Sequence, residues 1–152
     1  MVGLRKKQLK YKGQKEIGVE LGMIMGRDLI KSLFHQIDIV VPVPLHHSKK
    51  RKRGYNQSEC VASGIAKSMS KQLDTKTLIR TIANPTQTKK HRFERLTNVE
   101  GIFALKNPEN IENKHILLVD DVVTTGATLE ACVSALLTAK NVKVSVVAVA
   151  KA

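Results

Sequence analysis

The sequence predicts an α/β fold: an open, mainly parallel, twisted sheet with helices on both faces. Its 152 residues correspond to about one domain. Apolar runs of strand length alternate with segments of helical periodicity, which indicates βαβ units with right-handed crossovers. The strand runs are almost continuously apolar, as expected where both faces of a sheet are covered. We therefore expect a single domain, with an N-terminal helical segment at 1–36 and an α/β core at 37–152.

The first half of the chain contains two predicted helices and two predicted strands. Residues 1–15 carry six basic side chains and show little periodicity. The spacing of apolar residues and the turn signals predict a helix at 17–34, a buried strand at 38–44, a helix at 57–71 and a strand at 77–82. Gly18, Gly22 and Gly26 lie four residues apart on the first helix, which favours close backbone packing, with a dimer face as the alternative.

Three residues just before or within the second predicted helix have two interpretations each. Tyr55 is interpreted as a core anchor, with base stacking as the alternative. Asn56 and Ser58 are each candidates for the N-cap of the helix or for a ligand contact.

The second half of the chain begins with a polar segment at 83–97 that has no clear period. A segment of this length without regular structure is usually functional or mobile in a compact domain. The remaining pattern predicts a short edge strand at 102–105, a turn region at 108–113, a strong buried strand at 115–120, a helix at 126–140 and a final β-branched strand at 142–150.

The charge of the chain predicts polyanionic partners. Lys and Arg number 26 against 13 Asp and Glu, a net charge of +13, which favours nucleic acid, an anionic membrane or a phosphate-rich small molecule. Aromatic residues are only 3% and Trp is absent, which argues against a single-strand binder built on stacking.

Compartment and metal content are also constrained by the sequence. We expect no membrane span, because no apolar run reaches about 18 residues, and no secretory signal, because no apolar stretch follows the basic start. Cys60 and Cys132 form neither a disulfide framework nor a zinc site, which fits a reducing compartment and predicts a cytoplasmic protein.

The strongest chemical signal is the stretch HILLVDDVVTTGAT at 115–128. A buried strand delivers Asp120 and Asp121 at its carboxyl end, where ligands bind in open α/β sheets. The following Thr/Gly/Ala loop opens a helix and predicts a phosphate site. The two acids would repel a phosphate group but suit vicinal hydroxyls or a cation. The acids and the loop together therefore predict a ligand with a diol and a phosphate close together, which describes a ribose 5-phosphate. The Walker and dinucleotide glycine patterns are absent, and an ordinary strand, turn and helix with surface acids is the alternative.

LLVDDVVTTGAT resembles the phosphoribosyl pyrophosphate (PRPP) motif of type I phosphoribosyltransferases. Three further stretches resemble one branch of that family, the ComF-type proteins: VPVPLHHSKKRKRGYNQSE, PTQTKKHRFERLTNVEGIF and LRKKQLKYKGQKEIGVELG. Together the four stretches cover nearly the whole chain. The resemblance therefore implies a type I phosphoribosyltransferase-like fold.

The resemblance also implies roles for particular residues. Asp120 and Asp121 would bind the ribose hydroxyls of PRPP, and with Arg95 they form the expected catalytic set. The loop at 124–128 would bind the 5-phosphate, the segment after the first strand would bind pyrophosphate, and 87–98 would form a hood loop that closes over the site and excludes water. The expected substrate-binding residues beyond the acids are Val122, Thr124, Thr125, Gly126, Ala127, Thr128, Pro44, Leu45, Arg53, Gly54, Gln87 and Arg92.

The implied reaction is displacement of pyrophosphate from the anomeric carbon by a nitrogen nucleophile. It needs no side-chain nucleophile, because positioning and charge stabilisation of an oxocarbenium-like transition state supply the catalysis. Mg²⁺ would arrive with PRPP, and no metal site held by the protein alone is expected.

Two departures from the ComF pattern accompany the resemblance. ComF-type proteins usually begin with a four-cysteine zinc module, which we expect to be missing here through a short form or a truncation. Lys90 stands where the family loop often has an apolar residue. The alternative function is a ComF-type competence or DNA-uptake factor that binds single-stranded DNA or helicase partners, with the PRPP site regulatory or vestigial. A second copy of the chain, which would form a homodimer, is a further candidate partner.

Overall fold

The computed structural model describes residues 2–45, 51, 54–81 and 101–152, with helical side chains described from Gly13 onward. Within these residues the chain alternates helices and strands as predicted. The helices are α1 (Val2–Ile30), α2 (Gln57–Met69) and α3 (Ala127–Leu136), and the strands are β1 (Ile39–Pro42), β2 (Gln72–Leu73), β3 (Leu78–Arg80), β4 (Phe103–Leu105), β5 (His115–Val123) and β6 (Lys143–Lys151), with 3₁₀ turns at Leu33–Gln36 and Pro108–Asn110.

The main sheet is parallel and has the order β2-β1-β5-β6. Val40 pairs with Leu73 on one side and with Leu117 on the other, and Leu118 pairs with Val146. Because all neighbours are parallel, their carboxyl ends meet at one edge of the sheet, and the polar residues that follow β1 and β5 are brought together there.

Helices cover both faces of this sheet, which confirms the predicted fold class. On one face, Ile39 and Leu118 pack with Cys132 of α3. On the other face, Val40 and Leu117 pack with α2, and α1 adds partly buried residues. The residues of β1 and of β5 from Ile116 to Val119 are almost fully buried on both faces, because period-two alternation sends neighbours to opposite cores and both cores are apolar.

Helices α1 and α2 pack at their backbones. A Cβ at Gly22 would overlap the carbonyl oxygen of Val61, and a Cβ at Gly64 would overlap that of Val19. A Cβ at Gly18 would lie 3.0 Å from the Cβ of Cys60. The predicted close packing of the glycine stripe is therefore confirmed, and its partner is α2 of the same chain rather than a second copy.

Several element boundaries differ from the prediction. α1 begins at Val2 instead of residue 17, because its first half is rich in Lys, Arg and Gln, which favour helix without giving an apolar period. β2 was not predicted, since two residues carry no pattern. α3 ends at Leu136 rather than 140, where the chain tightens into a turn in which Thr138 N donates to Ala135 O at 3.2 Å.

β3 and β4 pair antiparallel in a separate small sheet rather than joining the main one. Arg80 pairs with Phe103, and Leu78 pairs with Leu105. Leu78 and Phe103 are buried in the core that contains Cys132 of α3, so this hairpin covers α3. None of the described helices combines the length and apolar character that a membrane span requires.

Asp74 holds the turn between β2 and β3. One oxygen, Oδ1, accepts from Lys76 N at 2.8 Å and Thr77 N at 2.9 Å. Burial alone would raise the pKa of the Asp74 carboxyl, but hydrogen bonds from Thr77 and Lys76 and the charge of Lys114 together lower it below its ordinary value.

Replacement of Asp74 by Ala is expected to lower the free energy of unfolding by about 1–2 kcal/mol at neutral pH, because two N–H groups lose their acceptor. Since the folded-state pKa of Asp74 is lowered, its ionisation contributes stability above the ordinary carboxyl pKa, and this is lost as pH falls through the folded value. Urea unfolding of both proteins from pH 7 to pH 3 would test this. The curves should converge at low pH, whereas the exposed Asp28→Ala control should leave the curve unchanged.

Candidate functional site

Asp120 and Asp121 lie in the last four residues of β5, which continues to Val123, beyond the predicted end at 120. Asp120 is only 8% exposed, and Asp121 is half-buried. The hydroxyl of Ser58, in the first turn of α2, lies 3.0 Å from Asp120 Oδ1 and 3.4 Å from Asp121 Oδ1. Ser58 Oγ also accepts from Asp121 N at 3.2 Å. One serine on a neighbouring helix therefore connects both acids.

The surroundings of Asp120 raise the pKa of its carboxyl above the ordinary value. Burial raises the pKa of Asp120, and hydrogen bonding to the Asp121 side chain and its negative charge raise it further. The Ser58 hydroxyl and the Asp121 N–H oppose this rise. Two adjacent carboxylates in a partly buried place repel each other, so the ionised pair favours a ligand that brings hydroxyl donors or positive charge.

The loop after β5 forms a small polar cavity next to the acids. The cavity has a volume of about 40 Å³. Gly126 has φ +85° and caps α3, a conformation that side chains rarely tolerate. The α3 N-terminus and the threonine hydroxyls suit an oxyanion. Asp120 lines this cavity together with the residues named from the sequence, Val122, Thr124, Thr125, Gly126 and Thr128, and Ala127 is the first residue of α3.

The segment between β1 and α2 is described at its two ends, and a hydrogen bond from Asn56 to Val43 joins them. Pro44 and Leu45 follow β1 directly and are half-buried. Asn56 caps α2: its side chain accepts from Ser58 N at 3.1 Å and donates from Nδ2 to Val43 O at 2.9 Å. Gly54 is exposed with φ +80°, and a Cβ there would meet nothing within 4 Å. Arg53 lies outside the described residues.

The hairpin of β3 and β4 marks the two ends of the segment 82–100. Thr81 N donates to Ile102 O at 2.7 Å, and its hydroxyl lies 2.6 Å from Gly101 O. The Arg80 guanidinium lies 5.4 Å from the centre of the Phe103 ring. Three residues predicted for the site, Gln87, Arg92 and Arg95, and the whole predicted hood loop at 87–98, lie outside the described residues.

Tyr55 anchors the start of α2 to α1. It is 8% exposed, its hydroxyl donates to Gln14 Oε1 at 3.2 Å, and Lys15 Nζ lies 5.3 Å from its ring centre. The interpretation of Tyr55 as a core anchor is therefore confirmed. Its position also ties α1 to the segment that carries Asn56 and Ser58.

The role of Ser58 is not settled by the sequence alone. It was considered as a helix cap or a ligand residue, but the cap is Asn56, and Ser58 Oγ contacts the acids. A small hydroxyl in the first turn of a helix was the only signal, and nothing in the sequence connects positions 58 and 120.

The chemistry of the acid pair fits Mg²⁺. In the described part of the chain, no group of three His, Cys, Asp or Glu side chains is close enough to hold a metal. Mg²⁺ is commonly bound by one or two carboxylates together with substrate phosphates. Asp120 and Asp121, two adjacent carboxylates beside the small polar cavity, supply the carboxylate part of that donor set.

Comparison with known proteins extends these observations. A family model described as "Phosphoribosyl transferase domain" matches residues 20–152. The chain is 30% identical over 126 residues to the DNA utilization protein YhgH of Escherichia coli (strain K12), covering 80% of this chain and 55% of the relative. It is 37% identical over 99 residues to Competence protein ComFC of Bacillus subtilis (strain 168), covering 65% and 38%. The chain thus spans about half the length of the curated relatives it matches.

Solved structures show the same fold. Glutamine phosphoribosylpyrophosphate amidotransferase from B. subtilis aligns with a TM-score of 0.58 and 19% identity, over 86% of this chain and 26% of the other. Purine phosphoribosyltransferase from Pyrococcus horikoshii Ot3 aligns with a TM-score of 0.53 and 14% identity, over 91% and 73%. At these identities the likeness concerns the path of the backbone alone.

Proposed function

The chain belongs to the phosphoribosyl transferase domain family, among its ComF-type members, and from this premise we propose that it binds PRPP and transfers the phosphoribosyl group to a nitrogen nucleophile. One observation carries the proposal: a partly buried acid pair and a small polar cavity adjoin at the end of β5, with Asp120 common to both. A ribose 5-phosphate carries both groups that this arrangement suits, a vicinal diol for the acids and a phosphate for the cavity.

Each part of the site has a role in this proposal. Asp120 and Asp121 accept hydrogen bonds from the ribose hydroxyls and stabilise the positive charge that develops on the ring. The backbone and hydroxyls at 124–128 hold the 5-phosphate. Pro44, Leu45, Arg53 and Gly54 border the pyrophosphate, and Gln87, Arg92 and Arg95 reach the leaving group from the segment 82–100.

Catalysis then consists of positioning and charge stabilisation. Mg²⁺, when bound with PRPP beside the acid pair, neutralises charge on the diphosphate leaving group. Ser58 keeps the acids oriented, and the loop at 124–128 fixes the 5-phosphate so that the anomeric carbon has one position. Such orientation can supply several kcal/mol of the barrier. The reaction is proposed to take place in the cytoplasm, since Cys60 and Cys132 are free thiols.

Calorimetric titration of the full chain with PRPP and Mg²⁺ at near-physiological salt tests this proposal. We expect saturable binding with one site per chain, competition by ribose 5-phosphate, and pyrophosphate release when an acceptor is added. A folded protein that shows no heat of binding with PRPP would overturn the proposal.

Replacement of Ser58 by Ala is expected to weaken PRPP binding about 10-fold, because the buried acids lose a donor that contributes roughly 1.5 kcal/mol to a charged acceptor. The Ser58 hydroxyl lowers the pKa of Asp120, so the low-pH limit of PRPP binding should move to higher pH in the variant.

The test is the affinity for PRPP between pH 5 and pH 8, by calorimetry. Ser58→Thr should restore both the affinity and the pH limit. Ser68→Ala, which removes a hydroxyl from the same helix that bonds Ile65 O, is the control. A uniform loss of affinity at every pH, without a shift of the limit, would contradict a positioning role for Ser58.

A second candidate function is binding of single-stranded DNA in competence or DNA utilization. The net charge of +13 and relatives named for DNA utilization and competence support it. Binding to phosphate backbones should weaken steeply as salt rises, whereas PRPP binding should depend on Mg²⁺ and the acid pair. Fluorescence anisotropy with labelled oligonucleotides at 50 and 200 mM salt would separate the two activities.

A further inference from the structure

β6 forms one edge of the main sheet and differs from the inner strands in its exposure. Among the described residues, β6 pairs with β5 alone, in register from Lys143 to Lys151. All four residues of β1 and five consecutive residues of β5 are buried, whereas none of the nine residues of β6 is buried. In this part of the chain, the outer side of β6 therefore presents backbone N–H and C=O groups that no neighbouring strand pairs.

Both apolar cores of the domain extend to β6 and are incompletely covered there. Val144 packs against the core that contains Cys132, and Val147 packs against the core between the sheet and α2, but both valines are only partly buried. Val146 is 40% exposed and Val149 is 38% exposed. A strand that paired with β6 would therefore bury further apolar surface on both faces of the sheet.

β6 carries few of the features that keep an edge strand from pairing. Residues 144–150 include no charged residue, no Pro and no Gly. The residues that pair with β5 keep one offset from end to end, so no bulge is inserted in the strand. Natural edge strands are usually protected by inward-pointing charges, by Pro or by bulges. A long, regular and apolar edge is instead typical of a sheet that accepts an extended segment as an additional strand.

The charge at the ends of β6 indicates which kind of segment would pair with it. Lys143 and Lys151 are exposed at its two ends, and residues 131–152 contain a third Lys but no Asp or Glu. If two copies of the chain paired along the whole strand about a two-fold axis, Lys143 of each copy would lie opposite Lys151 of the other. Like charges directly opposite each other across strands are destabilising, and each copy has a net charge of +13. Carboxylates near both ends of an incoming segment would instead form ion pairs with the two lysines.

We propose that β6 is a docking edge for an extended segment of an acidic partner protein, which adds a fifth strand to the main sheet. The segment is apolar at consecutive central positions, as β1 and β5 are, because it continues both cores. It carries a carboxylate near each end, about 26 Å apart at the rise of an extended chain. Main-chain hydrogen bonds supply affinity, and the apolar centre and the two end charges supply specificity. Since a lysine stands at each end of β6, the charges match in either strand direction.

A synthetic peptide tests this proposal on the full chain by fluorescence anisotropy. The probe is a labelled peptide of nine residues, Glu-Val-Thr-Val-Val-Val-Thr-Val-Glu, whose acids have the spacing of the two lysines. One comparison peptide has Lys at both ends. Another keeps the acids but carries N-methyl groups on its three central valines, which removes backbone donors and leaves the side chains unchanged.

Two charge-reversal variants accompany the peptides. Lys143→Glu with Lys151→Glu reverses both ends of β6. Lys31→Glu with Lys67→Glu is the matched control, because it changes the net charge equally at two exposed lysines that do not lie on β6. Urea unfolding checks that both variants remain folded.

We expect saturable binding of the acidic probe to the parent and to the control variant, weaker at 200 mM than at 50 mM salt. The β6 variant should bind this probe about 10-fold more weakly and should bind the Lys-ended peptide more tightly than the parent does. The N-methylated peptide should not bind.

Three results would overturn the proposal. Equal affinity of the parent for the acidic and Lys-ended peptides, or no binding of either, would show that the edge does not select an acidic strand. Binding of the N-methylated peptide would show that backbone pairing is not involved. A dimer of the parent in sedimentation that excludes the acidic probe would assign the edge to a second copy of the chain.

Discussion

Replacement of Asp120 and Asp121 by Asn is expected to abolish measurable PRPP binding. Both substitutions keep the shape of the side chain but remove the charges that attract Mg²⁺ and accept from the ribose hydroxyls. Hydrogen bonds to charged groups contribute about 1.5–3 kcal/mol each, so the double variant should lose at least about 100-fold in affinity. Calorimetric titration with PRPP and Mg²⁺ measures this directly.

The urea concentration at which this variant unfolds distinguishes a binding defect from a folding defect. The pKa of Asp120 is raised in the folded protein, so the folded state binds a proton more tightly than the unfolded state. The contribution of Asp120 to stability is therefore fully present below the ordinary carboxyl pKa and is lost as pH rises through the raised folded-state value. The Asp120→Asn protein should unfold at the same or a higher urea concentration at pH 7.

The matched control removes two exposed acids of α1, with Glu16→Gln and Glu20→Gln. It raises the net charge by the same two units and should bind PRPP as the parent does. Retention of PRPP affinity in the Asp120 and Asp121 double variant would show that the sugar does not bind at the acid pair. A lower urea midpoint would mean that the pair is needed for folding.

Replacement of Gly64 by Ala is expected to have the largest effect on stability among single methyl additions. The new Cβ would overlap the carbonyl oxygen of Val19 and lie 2.7 Å from Met23 N. Backbone cannot rotate away as a side chain can, so α1 and α2 must separate along their contact. We expect a loss of about 2–3 kcal/mol, the upper part of the range for overpacked sites.

Gly13→Ala is the control for helix propensity. Nothing lies within 4 Å of a Cβ at Gly13, so the change should stabilise α1 by up to about 1 kcal/mol. Urea unfolding followed by circular dichroism measures both variants. Equal stability of Gly64→Ala and the parent would show that the two helices do not pack at backbone distance.

Sequence patterns predicted the parts of the fold that have a strong period. The buried strand at β5, the acids at its end and the glycine loop after it follow from one stretch of sequence. The alternation of helices and strands predicted sheet type and helices on both faces. These features are encoded locally, because apolar period and turn chemistry depend on neighbours in the chain.

Other features depend on partners far along the chain. The glycines of α1 indicated close packing, but only the fold shows that Gly64 of α2 faces them. Ser58 contacts acids more than 60 positions away, and β2 is defined by its pairing with β1 alone. The first half of α1 lacks an apolar face, so periodicity missed it. The roles of Arg53, Arg92 and Arg95 stay predictions.

The β3–β4 hairpin has a consequence for how this protein can diverge. The pairing of β3 with β4 and the hydrogen bond from Thr81 to Gly101 hold the two ends of 82–100 together. These contacts offset the entropy cost of closing the segment. Closure cost grows only logarithmically with length, and doubling the segment would cost about 0.6 kcal/mol. We therefore expect changes in the length of this segment to cost little stability and to leave the geometry of the acid pair and of the main sheet unchanged.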